Sequence, residues 1–492
     1  MLFPLKLPPG VYRNGTNYQS LGRWYDANLV RWFEGTIRPI GGWRKVTTSA
    51  FSGIARGMFA WRDNVFNRWC AVGTASKLYA YTGGSLYDIT PAGFTAGRVD
   101  SFSGIGYGYG PYSTGLYGAA PIVSSVIDAT TWTFDNWGQY LIAVSNFDGK
   151  IYQWQLATAT PAAVVTNAPT SCAAAIVTPE RYLIALGAGG DPRRISWSTQ
   201  EDNTVWTATA TNTAGGLNLV SNGRIRCARR VRGQIVIFTD TEIHSLNYLG
   251  PPFIYGTEIA GRFCGIIGPN AVAVIESGAV WMSNGSFFRY NGTLEQIPCE
   301  ISDYLFGDFN IIQAAKVYCG INNKFGELWW YYCSAASSEI DRYVVWNHRE
   351  NHWTIGILAR TSWADSGVFP YPMAAGSDGF LYEHENGWTD NGTPLLTTRY
   401  LKSGPVAIGD GDKVITVNQI IPDEVTPGQV QFQVATKFTP EGSSTSYGPY
   451  TIAAYTDVRF TGRQAALEVD SLSDSDWRVG VIRMDGIQGG KR

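Results

Sequence analysis

The sequence predicts an almost entirely β-stranded chain whose centre is a six- or seven-bladed β-propeller. Three observations favour this fold class: a hairpin-like phrase that recurs along the chain, turn dipeptides inside the repeats, and a composition poor in charge. Aromatic residues make up 14% of the chain and charged residues 16%, with 56 glycines. Such a composition is typical of many short strands joined by tight turns rather than of helical bundles.

The recurring phrase is a small apolar pair, a turn of Gly, Asn, Asp or Ser, and an apolar run that ends near Tyr or Trp. Clear copies occupy residues 72–81, 144–154, 281–290 and 375–384, and looser copies occupy 183–198, 235–246 and 328–346. With one long exception the spacing is the roughly 40 to 50 residues expected of propeller blades. One hairpin cannot cover both of its faces, so the repetition predicts blades closed into a ring. The blade number stays open between six and seven, because circular closure could supply one hairpin.

The turns inside the repeats agree with hairpins. Asn284-Gly285, Asp148-Gly149, Asp378-Gly379, Asn291-Gly292 and Gly83-Gly84 are dipeptides of the kind that two-residue hairpin loops need. These pairs supply the positive φ angles of such loops without steric cost.

We expect residues 1–46 to form an extended N-terminal arm. This segment is dense in Pro, Gly, Arg and Trp and lacks strand alternation. Arg and Trp are the residues most enriched at interface hot spots, so the arm is a candidate for docking onto a partner. The alternative is that it packs on its own propeller. The candidate docking residues are Arg23, Trp24, Arg31, Trp32 and Trp43.

The propeller is expected over residues 47–395, with an insertion of alternating Gly and Tyr at 104–118. Such a stretch suits neither a helix nor a regular core, and it predicts a mobile loop that carries aromatic rings. Either it is a plain linker, or it contacts a neighbouring subunit or a central channel and acts as a gate. The candidate gate or contact residues are Gly104, Tyr107, Tyr109, Tyr112 and Tyr117.

From residue 396 to residue 492 the repeat disappears and a C-terminal β-sandwich or barrel module is expected. Residues 430–438 alternate cleanly, with Val430, Phe432, Val434, Thr436 and Phe438 on one face. Residues 414–421, 458–469 and 477–484 are predicted as further strands, separated by Pro, Gly, Asp and Ser.

One charge cluster, at residues 223–233, is predicted as a half-buried strand with Arg224, Arg226, Arg230 and Arg232 on one face. It is either a solvated or salt-bridged face, or a contact for an anionic partner. That partner would be an acidic subunit surface or the phosphates of passing DNA.

Catalytic and cofactor motifs are absent from the sequence, so no enzyme activity, cofactor or metal site is expected. His348 and His352 lack the H-E-x-x-H order of a helical zinc site. Propellers include glycosidases, so five carboxylates are candidates for glycoside hydrolysis, although the sequence places no two of them at catalytic separation. These are Glu201, Asp202, Asp240, Glu242 and Asp303.

Charge and hydropathy also limit the function classes. The formal net charge of −2 gives no global argument for nucleic-acid binding, so any DNA contact would need a local patch. No apolar run has the length of a signal peptide or a membrane span, so we expect a soluble protein made in a cytoplasm. The seven cysteines form no C-x-x-C pair and are expected to be free, buried thiols.

The arm, the Gly/Tyr insertion and the segments 53–61, 78–91, 196–206 and 477–492 together resemble bacteriophage tail hub or nozzle proteins. These are the packaged-DNA stabilisation, or tail tubular protein B-like, proteins of short-tailed phages. The resemblance implies a homohexameric ring below the portal and adaptor, with a propeller in each subunit, that closes the DNA exit channel until ejection. It also implies assembly in the host bacterial cytoplasm, a place in the virion tail, and contact with tail fibres or spikes and with double-stranded DNA in the lumen.

Two alternatives come from other classes of protein. A propeller lectin or adhesin would bind glycans through aromatic-lined sites, which the 18 Trp and 27 Tyr could furnish. A glycan-active tail enzyme would turn over polysaccharide, and one carboxylate substitution would abolish that turnover.

Overall fold

The computed structural model describes residues 2–103, 126–396, 398–408, 413–422 and 427–490. Within these ranges the chain forms seven four-stranded antiparallel sheets, two further sheets that pack together as a sandwich, and two two-stranded hairpins. Helices are few there: α1 (Ser302–Gly307) and the 3₁₀ turns Asn17–Ser20, Ala188–Gly190 and Ile311–Lys316. The predicted all-β propeller class is confirmed, and the number of blades is seven.

The N-terminal segment contains five short strands before the first blade. They are β1 (Leu2–Leu5), β2 (Trp24–Asn28), β3 (Val30–Phe33), β4 (Thr36–Pro39) and β5 (Trp43–Lys45). Strands β3 and β4 pair with each other as a hairpin.

The first three blades span residues 55 to 218, each named here from its innermost strand outward. Blade 1 is β6 (Ala55–Arg62), β7 (Arg68–Thr74), β8 (Leu78–Thr82) and β9 (Ser85–Asp88). A two-stranded stem, β10 (Phe102–Ser103) with β11 (Val126–Ile127), follows it. Blade 2 is β12 (Trp132–Trp137), β13 (Tyr140–Ser145), β14 (Ile151–Trp154) and β15 (Ala163–Val164). Blade 3 is β16 (Ala174–Val177), β17 (Leu183–Leu186), β18 (Arg194–Trp197) and β19 (Gly215–Asn218).

The next three blades span residues 225 to 357. Blade 4 is β20 (Ile225–Val231), β21 (Gln234–Thr239), β22 (Glu242–Gly250) and β23 (Ile254–Arg262). Blade 5 is β24 (Val272–Ile275), β25 (Gly278–Ser283), β26 (Ser286–Tyr290) and β27 (Leu294–Ile297). Blade 6 is β28 (Tyr318–Asn322), β29 (Glu327–Tyr332), β30 (Arg342–Asn347) and β31 (His352–Ile357).

Blade 7 closes the ring with strands from both ends of the propeller. Its inner strands are β32 (Arg360–Ala364), β33 (Met373–Gly376) and β34 (Leu381–His384), and its outermost strand is β5. In this pairing Trp43 lies opposite His384 and Lys45 lies opposite Tyr382. The innermost strands pack side by side around the circle, and β32 returns to β6. Closure by an N-terminal strand therefore completes the seventh blade.

All seven predicted hairpins are the second and third strands of a blade, which explains why the sequence shows them so clearly. These strands are apolar on both faces because neighbouring blades cover both sides. Their turns use glycine in the left-handed region, as at Gly149 (φ 63°) and Gly285 (φ 81°).

Tryptophan and glycine hold adjacent blades together. The indole Nε1 of Trp132 in blade 2 donates to the carbonyl of Thr74 in blade 1 at 2.7 Å, and Trp363 in blade 7 donates to Ile321 in blade 6 at 2.7 Å. A Cβ on Gly320 would lie 2.5 Å from Cγ of Trp363. Glycine on the innermost strand therefore makes room for the indole of the next blade.

Two faces of the propeller follow from the strand order. We call the side where the innermost strands begin the N face and the side where they end the C face. Because neighbouring strands are antiparallel, the turns that join the third and fourth strands lie at the C face, as do those that join the first and second.

The sandwich is built from strands of both chain ends. One sheet has the order β1, β42 (Ile482–Gln488), β37 (Ile415–Ile421), β40 (Thr456–Gly462). The other has the order β2, β35 (Tyr400–Ser403), β41 (Gln464–Ser471), β38 (Val430–Lys437), β39 (Thr445–Thr451), with β36 (Val406–Ala407) also on β41. Val417 and Phe460 of the first sheet share one core with Phe432 and Leu467 of the second.

Three details of the sandwich differ from the sequence prediction. Residues 458–469 are two strands, since the chain turns at Arg463 between β40 and β41. Strand β42 begins at Ile482, whereas Trp477 lies before it as a buried anchor whose Nε1 donates to Ser471 Oγ. Phe438 is exposed because β38 ends one residue earlier, at Lys437.

The N-terminal segment is not an extended arm. Strand β1 joins one sandwich sheet, β2 joins the other, and β5 joins blade 7. Sequence reasoning missed these strands because each is at most five residues long and pairs with a partner several hundred residues away. The first 45 residues therefore link the propeller to the sandwich.

Candidate functional site: the propeller channel and its mouth

The innermost strands of the seven blades surround a central channel, which holds a cavity of about 350 Å³. Each blade contributes to its wall, from Phe59 of blade 1 and Phe134 of blade 2 round to Ile321 of blade 6 and Trp363 of blade 7. A channel on the axis of a propeller is where such folds present side chains from many strands to one point. It is therefore the first place to look for a site.

Polar side chains bridge the channel and restrict it. The amide of Asn270, just before blade 5, donates to the carbonyls of Arg56 in blade 1 at 3.1 Å and of Trp132 in blade 2 at 3.3 Å. The hydroxyl of Tyr318 in blade 6 lies 3.2 Å from the carbonyl oxygen of Met58 and 3.1 Å from that of Trp363. The space that remains suits a small molecule and not a polymer.

Four charged side chains line the cavity. Arg230 of blade 4 reaches past blade 3 to form an ion pair with Asp135 of blade 2. Arg229 donates to the carbonyl of Pro269 at 3.0 Å. Asp365, at the C-face end of blade 7, accepts hydrogen bonds from the backbone N–H of Ser366 at 2.7 Å and of Asn323 at 3.2 Å.

Burial shapes the protonation of both channel carboxylates. It raises the pKa of Asp135 even though Arg230 and two backbone N–H groups act in the opposite direction. It also raises the pKa of Asp365, although backbone and side-chain donors of Asn323 and Ser366 act in the opposite direction. The hydroxyl of Ser366 donates to Asp365 Oδ1 at 3.4 Å, whereas Asp135 is paired with the guanidinium of Arg230.

A second cavity, of about 570 Å³, opens at the N face. Its charged groups are Arg98, Arg224, Arg226 and Asp128. The carboxylate of Asp128 lies 2.5 Å from Arg226 Nη1 and 3.0 Å from Arg224 Nη2. Arg224 is also 3.3 Å from Asp240, measured from Nε to Oδ2. Two of the predicted arginines thus meet at the channel mouth, held by carboxylates of their own chain.

The arginine strand departs from the predicted single stripe. A bulge between Ile225 and Cys227 breaks the alternation, and Arg226 is buried. Arg230 lies in the channel, and Arg232, in the turn at the C face, donates to the carbonyl of Asn291 in blade 5 at 2.7 Å. Each of the four predicted arginines therefore has an intramolecular partner. Arg224, Arg226 and Arg230 form salt bridges and Arg232 bonds to a carbonyl, while Arg224 and Arg230 keep part of their surface exposed.

The predicted gate or contact loop falls outside the described residues. This applies to Gly104, Tyr107, Tyr109, Tyr112 and Tyr117. Its stem, β10 with β11, is described, and Val126 and Ile127 of β11 border the N-face cavity.

Four of the five predicted docking residues are buried. Trp24, Trp32 and Trp43 are buried, and Arg31 forms buried ion pairs with Glu327 and Glu385. Arg23 is partly exposed and pairs with Glu300 at 2.7 Å. These indoles are buried, so the segment packs on its own propeller and also on the sandwich.

The histidines and carboxylates considered for catalysis do not converge. In the described ranges no group of three or more His, Cys, Asp or Glu side chains is arranged to hold a metal ion. Glu201 pairs with Arg181 on blade 3, Asp240 lies near Arg224 on blade 4, and Asp303 accepts from the Gly15 N–H beside α1. Burial lowers the pKa of His352 and of His348.

No helix of the described chain has both the length and the apolar character of a membrane span.

Sequence reasoning missed Asp128, Asp135, Asp365 and Asn270. Asp135 carried a signal, since it is a lone charge in the otherwise aromatic strand T-W-T-F-D-N-W. A carboxylate inside a buried strand needs a partner, but only the closed ring shows that the partner is Arg230, from two blades away.

No protein-family model matches the chain, and no curated protein matches it in sequence. Solved structures do match it. A streptogramin B lyase is 10% identical over 70% of this chain and 97% of its own, with a TM-score of 0.42. A virginiamycin B lyase from Staphylococcus aureus is 9% identical over 67% and 94%, with a TM-score of 0.41. The extracellular domain of a hybrid two component system from B. thetaiotaomicron is 11% identical over 92% and 62%, with a TM-score of 0.43. Similarity at this level says nothing about substrate or activity.

Proposed function

We propose that the chain is a structural, non-catalytic subunit of the tail hub, or nozzle, of a short-tailed bacteriophage, and that six copies form a ring around the DNA exit channel. The proposal is supported by the resemblance of residues 53–61, 78–91, 196–206 and 477–492 to such proteins. It is further supported by the way in which the chain joins its two modules.

The observation that carries the proposal is the path of the first 45 residues. Strands β1 and β2 each extend one sandwich sheet, and β5 completes blade 7. The segment between β2 and β5 is fixed on both modules, because Arg31 forms ion pairs with Glu327 and Glu385 of the propeller and Ile37 exchanges backbone hydrogen bonds with Val479 of the C-terminal region. A propeller and a sandwich that are joined in this way suit a subunit that transmits force along a tail.

Buried polar contacts reinforce the junction. Arg399, just before β35, is buried and lies 3.0 Å from Asp474 of the C-terminal region, measured from Nη1 to Oδ1. Its Nη2 donates to the carbonyl of Ile40 at 3.2 Å and to that of Trp388 at 2.6 Å. One side chain thus ties the N-terminal segment, the end of blade 7 and the sandwich.

In this proposal DNA passes through the lumen between subunits and not through the propeller. Asn270 and Tyr318 span the propeller channel, which leaves no path for a duplex. The propeller then acts as a wall segment, and its outer surfaces make the contacts with neighbouring copies, with the portal and adaptor, and with fibres or spikes.

Sedimentation velocity and electron microscopy of the purified chain, alone and with a portal–adaptor complex, test the proposal. We expect a closed ring, or a ring templated by the adaptor. A chain that stays monomeric in both settings contradicts the proposal, and so does polysaccharide turnover by the purified protein.

A glycan-binding propeller is the second candidate. The rings of Tyr248, Phe253 and Tyr371 are exposed at the C face, where they could stack on sugars. The tryptophans offer little to such a site, because every one except Trp206 and Trp388 is buried and those two are half-buried. Glycan-array binding by a monomeric protein would favour this candidate over the ring.

A further inference from the structure

One hairpin of the propeller is longer than the others. Strands β22 and β23 of blade 4 have nine residues each, whereas the outermost strands of blades 1, 2, 3 and 5 have four or fewer. The turn that joins them lies at the C face, so the tip of this hairpin projects beyond its blade.

The tip is apolar, exposed and free of charge. Phe253 is 74% exposed and Leu249 is 61% exposed, and Pro251 and Pro252 are exposed between them. The thirteen residues from Ser245 to Thr257 include no Asp, Glu, Lys or Arg. An uncharged apolar projection of this kind is typical of a surface that another protein covers.

The base of the hairpin is held firmly, so the tip is presented in one conformation. The ring of Tyr255 is buried with its centroid 5.5 Å from that of Tyr182 and 5.3 Å from that of Trp197, both in blade 3. Its hydroxyl donates to Thr178 Oγ1 at 2.9 Å. A preorganised tip loses little conformational entropy when it docks.

An uncharged groove lies elsewhere on the C-face rim. It has a volume of about 450 Å³ and lies between the outer edge of blade 2 and residues 203–204 of blade 3. Trp154, Pro161, Ala163 and Val164 supply its apolar wall, and the remaining polar lining comes from uncharged Gln, Thr and Asn side chains. Val164 is 48% exposed on β15, a two-residue edge strand.

Size and charge both favour the tip as the occupant of this groove. A cavity of roughly 150 Å³ holds one benzene ring, so 450 Å³ has room for the side chains of Phe253 and Leu249. A charged ligand would be buried there without a partner, whereas the tip brings no charge. Within one subunit the two surfaces cannot meet, because Tyr248 and Tyr255 fix the hairpin against the blade that separates them.

We infer that the blade 4 hairpin tip of one subunit inserts into the blade 2 groove of a second copy of this chain. The inference rests on the proposed ring and identifies the surfaces that form it. Since tip and groove are different patches of the same chain, the contact is heterologous, and repetition around an axis closes a ring. Each subunit then uses its tip once and its groove once.

Charge introduced at either surface tests the inference by sedimentation velocity. Phe253→Asp and Leu249→Asp alter the tip, and Val164→Asp and Thr160→Lys alter the groove at exposed positions. We expect each variant to raise the concentration for half-assembly at least tenfold. The matched control is Phe263→Asp, which alters a 93% exposed Phe just after β23 at the opposite face and should assemble like the wild type.

Mixing a tip variant with a groove variant gives a sharper result. The groove of the tip variant is intact, as is the tip of the groove variant, so a mixture restores one contact per pair. We expect dimers in the mixture and monomers in each variant alone. In a separate mixture of Phe253→Cys subunits with Val164→Cys subunits, we expect a disulfide to form between the two introduced cysteines.

The outcomes separate the inference from the proposed function. If the wild type assembles into rings and the tip variants do so equally well, the inference is wrong and the ring proposal stands. A wild type that never assembles contradicts both. Tip variants that assemble normally but lose glycan binding would assign the tip to sugars and overturn the inference.

Discussion

Arg31 of the N-terminal segment makes a two-point ion pair with Glu327 of blade 6, with Nε–Oε1 at 2.9 Å and Nη2–Oε2 at 3.0 Å. Both side chains are 3% exposed. The same guanidinium reaches Glu385, at 3.0 Å from Nη1 and 2.5 Å from Nη2. Burial alone would lower the pKa of Arg31, but the two carboxylates reverse this and raise it. The hairpin of β3 and β4 is therefore held by a buried charge and not by apolar contact alone.

Replacement of this arginine should destabilise the protein strongly. Arg31→Met leaves Glu327 buried without its cation, and removal of one partner of a buried pair costs about 3 to 5 kcal/mol. Urea unfolding should show this loss. In the control, Arg478→Met, the pair with Asp476 is exposed and the change should stay within about 1 kcal/mol. Equal effects of the two substitutions would contradict a structural role for the buried cluster.

Glycine 320 should tolerate no side chain. Gly320→Ala would bring a Cβ to 2.5 Å from Trp363 Cγ, and overpacking of this kind costs about 1 to 3 kcal/mol. The control is Gly307→Ala at the end of α1, where nothing lies within 4 Å of the added Cβ. Thermal unfolding should separate the two variants, and an unchanged melting temperature for Gly320→Ala would refute the close packing of blades 6 and 7.

Ring closure should depend on Trp43. Its indole stacks on His384 with ring centroids 5.2 Å apart, and Nε1 donates to Asp390 at 2.5 Å. Trp43→Ala removes a buried indole from the strand that completes blade 7 and should cost about 3 to 5 kcal/mol. Tyr455→Ala, at an exposed ring, should change stability by less than about 0.5 kcal/mol. Proteolysis of the N-terminal segment should increase only in the Trp43 variant, and equal protection of both variants would contradict the prediction.

Acidification should weaken the closure through His384. Burial lowers its pKa far below the usual value, and the charge of Arg360 adds to this effect. Arg360 Nε donates to His384 Nε2 at 2.8 Å, so the imidazole is neutral in the folded state. Below a pH of about 6.5 the unfolded chain binds a proton that the folded chain does not, and stability falls as the pH falls.

His384→Gln should keep an acceptor for Arg360 and remove this titration. Between about pH 6.5 and 5 the free energy of unfolding of the wild type should fall relative to the variant by up to about 1.4 kcal/mol per pH unit. Buried carboxylates with a raised pKa, such as Glu327, make the folded state more stable as the pH falls. This contribution is the same in the wild type and the variant, so it cancels when their free energies of unfolding are compared. Parallel stability curves across this pH range would show that His384 does not titrate as described.

The contrast between hairpins and N-terminal strands shows what the sequence could predict. The hairpin of β25 and β26 was visible because its apolar runs and its Asn284-Gly285 turn are adjacent in the chain. Strand β5 was invisible because its partner, β34, lies more than 300 residues away and its own three residues carry no alternation. Non-local pairing leaves no local pattern, so sequence reasoning took the N-terminal segment for an arm.

The same reason limited the prediction of the site. The arginines of residues 223–233 were visible as a charge cluster, but a bulge changed their directions and their partners lie far away in the chain. Asp128 and Asp135 reach Arg226 and Arg230 only because the ring brings blades 2 and 4 to one axis. The channel is a property of closure, and no single blade encodes it.

The proposed function is tested most directly by a cryo-EM map of the phage particle to which this chain is proposed to belong. We expect six copies around the tail axis, each with a seven-bladed propeller joined to its sandwich by the N-terminal strands, and DNA in the lumen between them. Density for the chain only at the ends of fibres, or its absence from the particle, would contradict it.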